Sequence, residues 1–188
     1  MKTKKLTQTL ALALLCAASA HAAPLSLQNA SITATYNGVG AAMLGLDHNF
    51  VQEAGSNTAT VHPSGDGIEF FTGDYLFGID FDASGRLTVI ANSQVSPGNY
   101  RMIFDFGASL ASPITTFTFA GASGASGAPL LSIVDVHTIA LDLNGVDWSE
   151  FGSLSAQLGT NAVPEPGAMA LLLAGVAGLA FARRTSRR

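Results

Sequence analysis

Positive charge and cysteine are almost missing from the central part of this sequence. Of the nine Lys and Arg residues only Arg86 and Arg101 lie between the two ends, against twelve acidic residues from Asp47 to Glu150, and lysine is absent there. Such an acidic surface repels phosphate backbones and anionic lipid headgroups. We therefore expect no nucleic acid among the partners of this protein.

The single cysteine, Cys16, lies near the N-terminus, so no disulfide can stabilise the central part. Lipid attachment at Cys16 would need a small side chain before it, and Leu15 stands there. The central part must then depend on an apolar core, on bound cations, or on both.

Residues 1–22 have the features of a secretory signal peptide. Three lysines among the first five residues precede an apolar stretch, 10–18, and the small-x-small triplet Ala20-His21-Ala22 follows it. This pattern predicts export, with cleavage after Ala22.

The sequence pattern of the central part, residues 23–160, indicates many short strands. Gly, Asn, Ser and Pro punctuate it at short intervals, no segment has a helical period of 3.6, and the runs between are β-branched or aromatic. We predict an all-β domain, an antiparallel β-sandwich of jelly-roll-like type with eight or so strands, and a closed barrel is the alternative. The predicted strands lie in SLQNASITATYNG, IEFF, YLFGIDFD, RLTVIAN, YRMIFDFG, ITTFTFAG, LLSIVDVHTIALDLNG and SEFGSLSAQLG.

Alternation assigns faces to several of these strands. It predicts burial for Met102, Phe104 and Phe106, and likewise for Phe117 and Phe119. Phe77, Ile79 and Phe81 share one face, with Asp80 and Asp82 on the other. The long segment 131–143 keeps no single phase, which predicts a bulge or bend near His137. The low-complexity run GASGASGAP, 121–129, predicts a flexible connection.

Asp80, Asp82 and Ser84, followed by Gly85, match the opening of a calcium loop. The glutamate expected at the twelfth position is replaced by Ala91, so a hairpin turn that needs a glycine is the alternative interpretation. Calcium is the one cofactor that the sequence suggests, and the melting temperature should then rise when calcium is added.

The sequence gives only weak indications of other metal sites, of catalysis or of sugar binding. The histidines share no ligand spacing, the serines of GASGASG lack the nucleophile-elbow context, and the separations of paired carboxylates cannot be seen in a sequence. Trp148 is expected in the core, and a sugar-binding platform formed with Tyr36, Tyr75 and Tyr100 is the alternative.

The C-terminal segment 161–188 has three parts in a fixed order. Pro164 and Pro166 hold Glu165 in an extended turn after Val163, and an apolar run, 168–182, follows. Four arginines end the chain, and the positive-inside bias keeps such residues in the cytoplasm, so the chain would halt in the membrane with its domain outside. These arginines are Arg183, Arg184, Arg187 and Arg188.

This order of features resembles the PEP-CTERM sorting signal of Gram-negative bacteria that produce exopolysaccharide. Residues 163–166 match its motif, 171–181 its apolar helix and the arginines its basic cluster. The resemblance implies recognition of Pro164, Glu165 and Pro166 by an integral-membrane exosortase, cleavage near the motif, and transfer to the cell surface or matrix. A permanent C-terminal membrane anchor is the alternative.

We therefore expect a non-enzymatic protein exported through the inner membrane, anchored transiently, and placed at the cell surface or in an extracellular exopolysaccharide or biofilm matrix. Its role there would be structural or adhesive. A carbohydrate-binding module is the first alternative, and a secreted glycan hydrolase is the second.

Overall fold

The computed structural model describes residues 22–62 and 67–161, which form one unit with its own core. The predicted signal peptide, apart from Ala22, and the C-terminal segment, apart from Asn161, lie outside the described residues. Within these ranges the fold is all-β, with three 3-10 turns and no α-helix, as the sequence predicts.

Twelve strands are present in the described ranges. More strands form than the eight or so expected, because three-residue strands occur and the segment 131–143 divides at His137 into two. The strands are β1 Ala22–Pro24, β2 Ser31–Tyr36, β3 Met43–Gly45, β4 Thr58–Thr60, β5 Phe70–Thr72, β6 Phe77–Phe81, β7 Arg86–Ala91, β8 Arg101–Asp105, β9 Thr116–Ser126, β10 Leu130–Asp135, β11 Thr138–Asp142 and β12 Asp147–Asn161.

The strands form two antiparallel sheets. The larger sheet has the order β1-β12-β7-β6-β5-β3, with β9 paired to β12 as well, and the smaller sheet has the order β10-β11-β8-β2-β4. Phe104 of β8 contacts Phe81 and Phe70 of the larger sheet, with ring centroids 5.0 and 6.2 Å apart. The two sheets therefore pack face to face around one core, as in a sandwich.

The predicted faces are mostly confirmed. Met102, Phe104 and Phe106 are buried, and so are Phe77, Ile79 and Phe81. These side chains recur at every second position, which directs them to the same side of the strand. The turn at His137, with a register shift between Ile133 and Asp135, explains why 131–143 has no single phase.

Two expectations on β9 are wrong. Phe117 is buried, but Phe119 is 52% exposed although it lies opposite the buried Ala156, because β9 is an edge strand. The run predicted as a flexible connection is strand up to Ser126, since the long strand β12 offers backbone partners to residues whose small side chains carry no pattern. Only 127–129 connect β9 to β10.

Candidate functional site

The predicted calcium residues lie at the hairpin turn between β6 and β7. One oxygen of Asp82, Oδ1, accepts hydrogen bonds from the Ser84 amide at 2.8 Å, the Ser84 hydroxyl at 2.7 Å and the Arg86 amide at 2.9 Å. Gly85 has the left-handed φ of +84°, which the turn requires. Turn chemistry thus accounts for Asp82, Ser84 and Gly85.

Asp80 lies two residues before Asp82, within β6 and opposite Thr88 of β7. Across 22–62 and 67–161 no group of three or more His, Cys, Asp or Glu side chains is placed to hold a metal ion. Calcium binding by Asp80, Asp82 and Ser84 stays a prediction, which a titration can decide.

Both ring nitrogens of His48 lie within hydrogen-bond distance of neighbouring side chains. Nδ1 lies 2.7 Å from Glu53 Oε1 and Nε2 lies 3.0 Å from Thr58 Oγ1. His62 is exposed, and the backbone amide of His137 donates to Asp135 Oδ1 at 2.8 Å. These three histidines lie in loops and turns.

Trp148 belongs to the core, as expected, and is 1% exposed. Its ring packs edge-on against Phe77 at 5.4 Å, and Tyr100 packs on the same Phe77 at 5.3 Å. Tyr36 is buried, while Tyr75 is exposed against Phe71. The four aromatic residues considered for a sugar platform therefore do not share a surface.

The most exposed aromatic side chain of the described ranges is Phe151, which is 69% exposed. It lies on an irregularity of β12, where the register with β9 shifts between Trp148 and Ser153. Its φ of +57° belongs to the left-handed region, which bulky residues rarely occupy. Strain of this kind persists where the surrounding structure enforces it, and it clusters at functional sites.

A cleft of about 280 Å³ lies beside this irregularity. Polar groups dominate its lining, and Phe151 follows the lining residue Ser149 by two positions along the chain. The sequence pattern did not identify Phe151; the break in alternation at Glu150-Phe151-Gly152 was the available signal. The cleft is lined by Gln94, Gly124, Ala125, Ser126, Asp147, Trp148 and Ser149.

A second cleft, of about 390 Å³, lies at the ends of β2 and β5. The Tyr36 hydroxyl donates to Asp74 Oδ2 at 3.1 Å, and burial together with this carboxylate raises the pKa of the Tyr36 hydroxyl. Asp74 is the one carboxylate lining this cleft, and Asp147 is the one lining the first. Neither cleft combines the two carboxylates that glycoside hydrolysis uses.

Glu69 is buried, and no sequence motif marks it. Its Oε2 accepts a hydrogen bond from the Phe81 amide at 2.6 Å. Burial, with smaller contributions from the nearby Asp80 and Asp47 charges, raises the pKa of the Glu69 carboxyl to about 7. The group lies outside both clefts, so this shift indicates a structural role.

The predicted sorting residues, Val163 to Pro166 and the four terminal arginines, lie outside the described residues, and so does the apolar run between them. In the part of the chain that the structure describes, no helix has the length and hydropathy to span a membrane.

Comparison with known families identifies the end of the chain. Residues 162–188 match the family model of the PEP-CTERM protein-sorting motif. The resemblance seen in the sequence is thereby confirmed for this segment. No curated protein and no solved structure matches the chain. The family model covers the sorting segment alone and does not extend into the central domain.

Proposed function

We propose that this protein is an exported exosortase substrate that works as a structural or adhesive component of the cell surface or the exopolysaccharide matrix of a Gram-negative bacterium, and not as an enzyme. The observation that carries the proposal is the PEP-CTERM match over 162–188. The lysine-rich N-terminus and its apolar stretch support entry into the export pathway.

The domain itself is compatible with a passive role outside the cell. Its core is apolar and needs no disulfide, and the strands supply the backbone partners of one another. The two clefts offer one carboxylate each, which supports a binding or structural role over glycan hydrolysis.

Replacing Pro164, Glu165 and Pro166 together by alanine tests the sorting proposal. We expect the variant to keep its C-terminal segment and to stay in the membrane fraction, because the extended turn that the peptidase grips is lost. Mass spectrometry of the protein from its native host reads the cleavage, and fractionation reads the location.

The matched control replaces Thr185 and Ser186 by alanine, which alters the same segment but leaves the motif and the arginines in place. This control should be processed like the natural protein. If the motif variant is processed and located normally, or if the natural protein still carries Arg188 at its destination, the sorting proposal is wrong.

Carbohydrate binding is the second candidate function, and the geometry around Phe151 supports it. Phe151 follows Ser149 of the cleft by two residues, and in this candidate its exposed ring covers the apolar face of a sugar whose hydroxyl groups meet Gln94, Asp147 and Ser149. The proposed subsite therefore differs from the aromatic platform that the sequence suggested.

Phe151→Ala tests this candidate in affinity electrophoresis with the exopolysaccharide of the native host. Binding should weaken by about fivefold or more, since an aromatic contact of this kind contributes on the order of 1 kcal/mol. Tyr75→Ala is the matched control, because Tyr75 is also an exposed aromatic with a left-handed φ, +58°. Equal retardation of all three proteins would reject the subsite.

A further inference from the structure

The two long sides of the sandwich are protected differently. On one side the sheets end in β3 and β4, strands of three residues each, and the Gly45 amide of β3 donates to the carbonyl of Ser56, two residues before β4. On the other side they end in β9 and β10, of eleven and six residues, and within the described ranges neither pairs with a further strand. Long unpaired edges are templates for pairing with another chain.

The edge strand β10 also exposes apolar side chains. Leu130 is 66% exposed, Val134 56% and Ile133 38%, and Val136 follows with 52%. Ile133 lies opposite Ile139 of the core, and Phe119 of β9 lies opposite Ala156 of the core. Side chains that face the interior are thus left partly uncovered at this side.

Charge distinguishes this side from the rest of the domain. No charged residue occurs between Asp105 and Asp135, a segment that includes all of β9 and most of β10. Natural edges are commonly protected by lysine, proline, inward-pointing charges or bulges; before Asp135, β10 has no charged residue and no proline, and its one irregularity lies at its C-terminal end, between Ile133 and Asp135. In a strongly acidic domain, this surface is where two copies can approach with little repulsion.

We propose that β10 pairs with β10 of a second copy of this chain, in an antiparallel arrangement about a two-fold axis. Pairing that keeps side chains on their own faces and centres on Ser132 places Leu130 opposite Val134 and Leu131 opposite Ile133 of the other copy. A two-fold axis requires such self-complementarity, and the apolar residues of β10 provide it. The two smaller sheets then join into one continuous sheet of ten strands.

Disulfide trapping in the full chain tests this register. Cys16, the natural cysteine, is first replaced by serine, and Ser132→Cys is then introduced. Residues directly opposite in an antiparallel pair have Cα atoms about 4.5 to 5.5 Å apart, which suits a disulfide. We expect a covalent homodimer on a non-reducing gel after a thiol oxidant is added to cell extracts, with its identity read by mass spectrometry.

Ser123→Cys in the same background is the matched control, since Ser123 is an exposed serine on the neighbouring edge strand β9. It should give little dimer. Absence of a dimer from the Ser132→Cys protein, or equal or greater trapping by Ser123→Cys, would overturn the proposal. Oxidation in extracts makes the result independent of export and sorting.

Adding Val134→Lys to the Ser132→Cys protein places a charge at the pairing edge, and we expect the dimer fraction to fall about tenfold. Val51→Lys is the control, because Val51 is likewise 56% exposed but lies away from β10 and adds the same charge. Protease resistance of the same extracts shows whether the lysine variants are folded. Equal dimer fractions in the two folded variants would overturn the proposal. If Val134→Lys unfolds the chain, the comparison of Ser132→Cys with Ser123→Cys tests the proposal by itself.

Discussion

Glu69 directly precedes β5, and its carboxyl group lies beside the end of the neighbouring strand β6. The strand β5 starts at Phe70, so the Phe81 amide of β6 has no backbone partner in β5, and Glu69 Oε2 accepts its hydrogen bond instead. The hydrogen bond favours the charged carboxylate, but burial opposes it more strongly, and the folded pKa is about 7 instead of 4.5. The Phe81 amide thus has a hydrogen-bond acceptor, but the charged form of the Glu69 carboxyl group is destabilised by burial.

This shift predicts a pH dependence of stability with a defined sign. Because the folded pKa is higher, the folded state holds more protons than the unfolded state between about pH 4.5 and 7, and stability falls as the pH rises through this window. Glu69→Gln keeps an oxygen for the Phe81 amide and cannot ionise. Between pH 4.5 and 8 the free energy of unfolding of the variant should therefore fall less than that of the natural domain, by a difference of at most about 3 kcal/mol.

Urea denaturation at the two pH values measures the effect as the difference between the natural domain and the variant. Glu150→Gln, at an exposed glutamate, is the control and should leave the pH dependence unchanged. An unaltered decline in Glu69→Gln would show that the carboxyl group titrates alike in both states.

At the scale of elements, β12 organises the larger sheet. It is the longest strand in the described ranges and pairs with β1, β7 and β9. Its irregularity at 149–152 depends on a close approach of two glycines: a Cβ on Gly152 would lie 2.3 Å from the Gly124 carbonyl oxygen. Phe151 lies within the same irregularity and is exposed to solvent.

Gly152→Ala should therefore destabilise the domain by about 1 to 3 kcal/mol, because backbone must shift to admit the methyl group. Thermal or urea unfolding measures the change. Gly145→Ala is the matched control, since its added Cβ would meet the nearest atom at an ordinary 3.7 Å, and it should alter stability by less than about 0.5 kcal/mol. Similar losses in both variants would contradict the close-approach argument.

Sequence patterns succeeded for elements whose two faces differ in burial. In β6 and β8 the large apolar side chains recur at every second position, so the residues that face the core could be named from the sequence. β9 from Gly121 onward has small residues and is largely exposed, which removes the signal that alternation provides. Its strand conformation comes from hydrogen bonding to β12, which is distant along the chain, so the local sequence of β9 does not predict it.

At the scale of the whole molecule, acidic charge is the dominant electrostatic feature. Twelve acidic residues oppose two arginines in the central part, and mutual repulsion of this kind weakens the folded state at low ionic strength. Screening by salt should relieve it. The melting temperature of the domain should rise when sodium chloride is added to a dilute buffer.

Calcium chloride at the same ionic strength separates screening from binding. A site formed by Asp80, Asp82 and Ser84 predicts a further rise in melting temperature beyond that in sodium chloride, since a ligand of the folded state stabilises it. Asp82→Asn should remove the additional rise. Equal shifts in the two salts would reject the calcium site and leave the hairpin turn as the whole role of this motif.

The sequence by itself determined the all-β class, most buried faces and the C-terminal sorting segment, because these depend on local order: alternation, turn residues, and a motif, apolar run and arginines in succession. Tertiary structure decided what depends on neighbours distant along the chain. Only packing placed Tyr36 in the interior, raised the pKa of Glu69 and left β10 as an uncovered edge. Burial and edge position are properties of the assembled sheets, and a strand's own residues do not specify them.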